Sequence, residues 1–165
     1  LVVAENEEVL IPRAAQLTQR TNQFNLSAKR YSEHEMRAFV GSPDWDVVSF
    51  SLEDKFGSLG IIGLAIIRYE NNEAWFDSFL MSCRAIGRGV ESSMLAYCAC
   101  LVDSKGMRVM KAEFYPTSKN AIIEQFFDEI CCENKVSGEE FSCYEIPICE
   151  VPLISESIDL IVKEK

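Results

Sequence analysis

The chain carries 26 acidic and 16 basic side chains over 165 residues, a formal net charge of -10. That balance argues against a nucleic-acid surface, since phosphate neutralisation needs a Lys/Arg cluster and none appears, but a small phosphorylated ligand needs only a local site. The length makes one domain able to bury roughly two thirds of its unfolded surface, the longest apolar run (Leu59 to Ile67) is too short to cross a bilayer, and no signal or transit peptide is visible.

Residues 1–10 read as a lead-in, with the acidic stretch Glu5 to Glu8 ahead of the first helix start; the opening Leu1 in place of Met reads as a segment excised from a longer protein. Pro12 fits the first turn of a helix whose inner face would carry Ala14, Ala15 and Leu17, with Leu10 a further candidate, to about Thr21. Thr21 to Ser27 is a polar loop. Ser32 and Glu35 form a capping box that opens a second helix to about Val40, and Gly41 to Asp44 turns the chain. Trp45 to Phe56 and Leu59 to Tyr69 read as two strands joined tightly at Gly57-Ser58. Ala74 to Cys83 is a third strand, with Asp77, Phe79, Met81 and Cys83 expected on one face.

After the turn at Arg84 to Gly89, Val90, Met94, Leu95, Cys98, Leu101 and Val102 recur at helical spacing, and Lys105-Gly106 supplies the stop. Arg108 to Tyr115 is a strand ended by Pro116. Thr117 or Ser118 would cap a helix to about Ile130, with Ile122, Ile123, Phe126, Phe127 and Ile130 as its apolar set. Phe141 to Ile146 and Cys149 to Ile154 are expected as closing strands, with Pro147 and Pro152 marking edges. The order α-α-β-β-β-α-β-α-β-β predicts an α/β fold, a mixed sheet with helices on both sides.

Seven cysteines, without secretory features, fit a reduced cytoplasmic compartment better than a disulfide framework. No CxxC pair exists and His34 is the single histidine, so no metal site is expected. His34 itself lies in a polar helical run and reads as solvated.

The densest functional signal is Arg84-Ala85-Ile86-Gly87-Arg88-Gly89, which joins the third strand to the long helix. Gly87 and Gly89 permit positive φ and close approach to the backbone, and the new helix adds its N-terminal dipole, so the turn suits a phosphate. A purely structural turn has the same spacing. The R-x-x-G-x-G pattern resembles the acyl-carrier loop of the GNAT acyltransferases, and the predicted element order is the GNAT order.

Four blocks extend the resemblance. Arg13 to Ser27, Asp54-Lys55-Phe56-Gly57, Ser82 to Glu91 and Pro116-Thr117-Ser118-Lys119-Asn120 are similar, in that order, to the C-terminal GNAT-like domain of the FkbH-like proteins, over about residues 11 to 130. Proteins of that family join an upstream HAD-like phosphatase domain to this one and supply unusual acyl units, such as glyceryl, to acyl carrier proteins in polyketide biosynthesis. No D-x-D-x-[TV] nucleophile motif is present here, so the resemblance covers only the acyltransferase-like part.

The resemblance implies an acyl-CoA or phosphopantetheine thioester as cofactor, and an acyl carrier protein or a small-molecule acyl acceptor as partner. The backbone of Ile86, Gly87, Arg88, Gly89 and Val90 would hold phosphate, with Arg84 or Arg88 adding charge; Asn120 would contact the pantetheine arm, with helix capping as its other reading, and Lys119 could face the phosphates. Asn22, Gln23 and Asn25 would recognise a polar acyl or carrier group.

Acyl transfer needs the thioester held in register, a deprotonated acceptor and an acid for the departing thiolate. Asp77 and Glu113, on predicted strands, are the candidate bases, and Cys83, at a strand end beside a helix start, is the alternative nucleophile. For the acid the sequence departs from the GNAT pattern N-x-x-A-x-x-x-Y. Ile123 and Phe127 take the Ala and Tyr positions, and Cys131-Cys132 replaces the usual Gly-Phe. Phenylalanine cannot donate a proton. Tyr115 and Tyr97 are possible substitutes, and a catalytically degenerate fold that docks a carrier protein is the competing reading.

Overall fold

A computed structural model describes residues 1–131 and 134–163. Its centre is β4 (Gly57–Glu70), where Ile61 to Ile67 are buried on both faces, as the unbroken apolar run requires. β3 (Trp45–Asp54) and β5 (Glu73–Met81) flank it antiparallel, which confirms the expected meander. β6 (Val109–Phe114) then runs parallel to β5, and the hairpin β7 (Lys135–Ser137) and β8 (Ser142–Pro147) closes that side.

On the other side β3 pairs with β1 (Val2–Glu5), which pairs with β9 (Ile161–Val162). The sheet order is β7-β8-β6-β5-β4-β3-β1-β9, with β2 (Phe24–Asn25) bonded to β5.

Helices cover both faces, as expected for the mixed α/β class. α1 (Ile11–Arg20) and α2 (Glu33–Val40) bury Ile11, Ala14, Ala15, Leu17 and Met36 against Val47, Leu64, Ile66 and Leu80. The Ser32–Glu35 capping box forms. α3 (Val90–Ser104) and α4 (Ala121–Cys131) cover the opposite face with Met94, Leu95, Cys98, Ile123 and Phe127. Gly63 lies under α3, where a Cβ would come within 2.5 Å of the Met94 sulfur and the methionine side chain would have to shift.

Four expectations are corrected. Residues 1–10 are more than a lead-in, since Leu1, Val3 and Ala4 are buried in β1 and its neighbourhood, and Val2 to Glu5 pair with Ser51 to Val48 of β3. Cys149 to Ile154 forms no strand; Ile148–Glu150 is a 3-10 turn, and β7 supplies the hairpin partner instead. β5 ends at Met81, so Cys83 starts a short 3-10 turn, Cys83–Ala85.

The fourth correction concerns side-chain direction. Ile66 faces Ser78 but Ile67 faces Phe76, so Asp77 is the extra residue of a β-bulge. The bulge resets the alternation: Phe76 and Phe79 join the α3–α4 core together, while Asp77 bonds to Lys29 and Tyr31. Asp77 therefore does not share a face with Phe79 and Met81. Of the pair Cys131-Cys132, Cys132 lies outside the described residues.

β5 and β6 pair only from Ala74–Met110 to Phe76–Ala112. Beyond that point the polar loop inserts between them. Phe24 and Asn25 pair with Met81 and Leu80, the Leu26 N–H donates to the Phe79 carbonyl at 3.0 Å, and the Tyr115 N–H donates to the Leu26 carbonyl at 3.1 Å. Two residues of the loop, Phe24–Asn25, thus form a strand of the sheet, and Phe24, Asn25 and Leu26 are buried.

Candidate ligand-binding site at the end of β5

The turn from Arg84 to Gly89 has the backbone its glycines permit, with φ of +76° at Gly87 and +72° at Gly89, the residue that precedes α3. Ala85 and Val90 are buried and Ile86 packs on the same core, so the turn is anchored at both ends. Its interior is already engaged. The Gly87 N–H donates to Glu91 Oε1 at 3.0 Å, and Glu91 Oε2 is buried with no hydrogen-bond partner. A carboxylate in the first turn of α3 is favoured by the helix dipole, and here it folds back onto the loop.

The two arginines of the motif part company. Arg88 reaches Asp54 Oδ2 at 3.4 Å, beside a small cavity of about 290 Å³ bordered by Ser157, Ile158 and Asp159, and Ser155 lies against Gly89. Arg84 donates to the Leu59 carbonyl at 3.4 Å and lines a larger cleft of about 930 Å³.

That cleft is walled by Arg13, Gln16 and Arg20 of α1, by Thr21, Asn22 and Gln23, by Met81 to Arg84, and by Ser118 and Lys119 ahead of α4. It brings together Asn22, Gln23, Cys83 and Arg84 from two stretches far apart in sequence, and Cys83 is exposed. Asn22 is fixed by Arg30, which donates to its Oδ1 at 2.5 Å. The α1 contribution was missed in the sequence, although Arg13, Gln16 and Arg20 at i, i+3 and i+7 mark one helix face.

Other expected site residues lie elsewhere. Asn25 is buried and accepts from the Ala28 N–H at 2.9 Å while donating to the Thr21 carbonyl at 2.9 Å. Asn120 is buried with both sides of its amide engaged: Nδ2 donates to the Asn25 and Tyr115 carbonyls, both at 3.0 Å, and Oδ1 accepts from the Thr117 N–H and hydroxyl. Asp77 pairs with Lys29 at 2.6 Å and accepts from the Tyr31 hydroxyl. Burial first, and then Asp77, push that hydroxyl well above its ordinary range.

Glu113 accepts from the Tyr115 hydroxyl at 2.9 Å; burial and this bond raise Tyr115. Tyr97 donates to Glu5 at 2.5 Å and is raised by burial, then by Glu5. None of Asp77, Glu113, Tyr97 or Tyr115 lines the large cleft. Phe127 is fully buried against Phe79 and Tyr144. Among the described residues no group of three or more His, Cys, Asp or Glu is placed to hold a metal ion, and no helix is long and apolar enough to cross a membrane.

No known family model matches the chain, and no curated protein matches it. Solved structures do. The ribosomal-protein-S18-alanine N-acetyltransferase from Escherichia coli is similar at 15% identity over 95% of this chain and 97% of that one, with a TM-score of 0.64. The GNAT domain of S. lividans PAT is similar at 18% identity over 88% and 89%, TM-score 0.66. A protein assigned as a streptothricin acetyltransferase from Bacillus anthracis str. Ames, in complex with acetyl coenzyme A, matches at 15% identity over 72% and 69%, TM-score 0.54. The chain has the fold of the GNAT acetyltransferases.

Proposed function

We propose that this domain binds a phosphopantetheine thioester, as acyl-CoA or on an acyl carrier protein, and takes part in transferring the acyl unit. The observation that carries the reading is the convergence of Asn22, Gln23, Cys83 and Arg84 on one cleft where β5 ends, in a GNAT fold. The sequence blocks that resemble the FkbH-like proteins support a glyceryl-type unit and an upstream HAD-like domain in the parent protein, and seven cysteines without secretory features support a cytoplasmic setting.

Of the three candidate reactive groups, Cys83 alone opens onto the cleft. Its thiolate attacks the thioester carbonyl, a new C–S bond forms and the C–S bond to pantetheine breaks. The pantetheine thiolate then takes up the proton that Cys83 gave to solvent. A thiolate is a good leaving group near neutral pH, so this exchange has no need of an acid at the position of Phe127.

A second reading is favoured by two specific observations: Phe127 is sealed in the core, and β2 occupies the edge of β5. Under it the domain holds a carrier and performs no transfer. The two separate when the chain is incubated with acyl-CoA or acyl carrier protein, the freed CoA or carrier thiol is measured after separation from the chain, and the mass of the peptide containing Cys83 is measured. Acylated Cys83, absent in Cys83→Ser, supports transfer; binding without thiol release supports docking alone.

A further inference from the structure

We infer that the exposed tip of the β3–β4 hairpin, Lys55 and Phe56, is a docking surface for an acyl carrier protein that delivers its thioester arm to the cleft at the end of β5. The inference rests on the thioester reading of that cleft and names where the partner makes contact.

Position carries the argument. β4 first pairs with β5 at Gly63 and Met81, so Gly57 to Ile61 pair with β3 alone and the hairpin runs on past the end of β5. From Glu53 to Ser58 it is exposed throughout. Two arginines of the turn after β5 hold this arm beside the cleft. Arg84, which lines the cleft, donates to the Leu59 carbonyl at 3.4 Å, and Arg88 pairs with Asp54 at 3.4 Å. A protein that feeds the cleft from this end therefore meets the tip.

The chemistry of the tip suits such a partner. Phe56 is 86% exposed, whereas Phe24, Phe50, Phe76, Phe79, Phe114 and Phe127 are buried. The Lys55 ammonium lies 5.0 Å from the centre of its ring, so a phenyl group and a cation are presented together. Val9, Val136 and Leu153 are also strongly exposed, but they lie outside the blocks that resemble the FkbH-like proteins, while Phe56 stands within Asp54-Lys55-Phe56-Gly57. Packing within the chain does not account for a phenylalanine there.

A projecting tip cannot enclose a nucleotide or another small ligand, which needs a concave site. A projecting aromatic ring instead fills a pocket on another protein, where such anchors carry much of the binding energy. The face that fits offers an apolar pocket beside a carboxylate for Lys55. Of the two thioester sources, only the carrier protein has a surface that can supply one.

The test measures binding of the full chain to an acetyl-loaded polyketide acyl carrier protein and to acetyl-CoA, using the wild type, Phe56→Ala, Phe56→Trp and Lys55→Glu. Both positions are exposed, so the variants keep their fold, which thermal unfolding checks. In Phe56→Ala the expected result is a loss of roughly tenfold in carrier affinity with acetyl-CoA affinity changed by less than about twofold. Phe56→Trp should keep carrier binding, and Lys55→Glu should weaken it more at low salt than at high salt.

A Phe56→Ala variant that binds the carrier as the wild type does, or a wild-type chain that binds acetyl-CoA and not the carrier, overturns the inference and leaves the thioester reading standing. An equal loss of both ligands in Phe56→Ala places the ring on the arm itself and also overturns the docking surface. No binding of either ligand by the wild type removes both.

Discussion

The side-chain amide of Asn120 donates to the carbonyl of Asn25, 95 residues away, at 3.0 Å, and so ties the approach to α4 to the strand that fills the gap between β5 and β6. Replacement of Asn120 by Ala strips partners from the Asn25 and Tyr115 carbonyls and from the Thr117 N–H. Unsatisfied buried groups of this kind cost about 1–3 kcal/mol each, less where relaxation or water relieves them, so a loss of roughly 2–4 kcal/mol is expected in urea unfolding. Thioester affinity of the folded fraction should change little. An unchanged stability with lost affinity would instead place Asn120 on the ligand.

Phe24 is buried and its ring packs on Phe79 and Phe126, so Phe24→Ala should cost about 3–5 kcal/mol. If β2 is the structural filler of the sheet, this loss appears without any rise in acetyl-CoA affinity. A destabilised variant that binds the thioester more tightly would show that β2 competes with the ligand for the edge of β5.

Phe127→Tyr restores the residue type that the GNAT pattern has at this position. The ring lies in the core beside Tyr144, so the added hydroxyl has to be buried, and a loss of about 1–3 kcal/mol is expected with no gain in acyl transfer. A faster transfer in the variant, measured as thiol release, would contradict the burial argument.

The legible parts of the chain were those with long, strongly patterned segments. The helical spacing from Val90 to Val102, the Ser32–Glu35 box and the meander through β5 appear as read. β1 was hidden because its four residues run into an acidic stretch at Glu5, and its burial depends on β3, whose pairing no local pattern announces. The bulge at Asp77 inverted the expected side-chain directions, since a period of two cannot register an inserted residue. In the site, the turn glycines were readable from their spacing, but Glu91's return to Gly87 and the convergence of Arg13 and Arg20 with Arg84 are tertiary facts.

Asp128 offers a pH test on the opposite side of α4. Burial alone would raise its carboxyl, but hydrogen bonds from Lys135 at 2.9 Å and Tyr144 at 2.7 Å, with the Lys135 charge, outweigh burial and hold it below the ordinary carboxylate range. A carboxyl depressed in the folded state stabilises fully above its unfolded value, near pH 4, and loses that contribution as pH falls through the lower folded value. Asp128 is 41% exposed, so the effect should be no more than about 1 kcal/mol. Asp128→Asn should therefore be slightly less stable than wild type at pH 7, with the gap closing as pH falls below the ordinary carboxylate range, about pH 4. A gap that stays constant or widens toward acid would refute the assignment.

In the proposed function, the cleft between α1 and the end of β5 holds a phosphopantetheine thioester. The most direct test is calorimetric titration of the chain with acetyl-CoA and with an acyl-loaded carrier protein, repeated with Arg84→Glu. Saturable binding of at least one thioester, lost when Arg84 becomes acidic while thermal stability is kept, is the predicted result. Failure of the wild-type chain to bind either thioester, or binding that Arg84→Glu leaves intact, would contradict it.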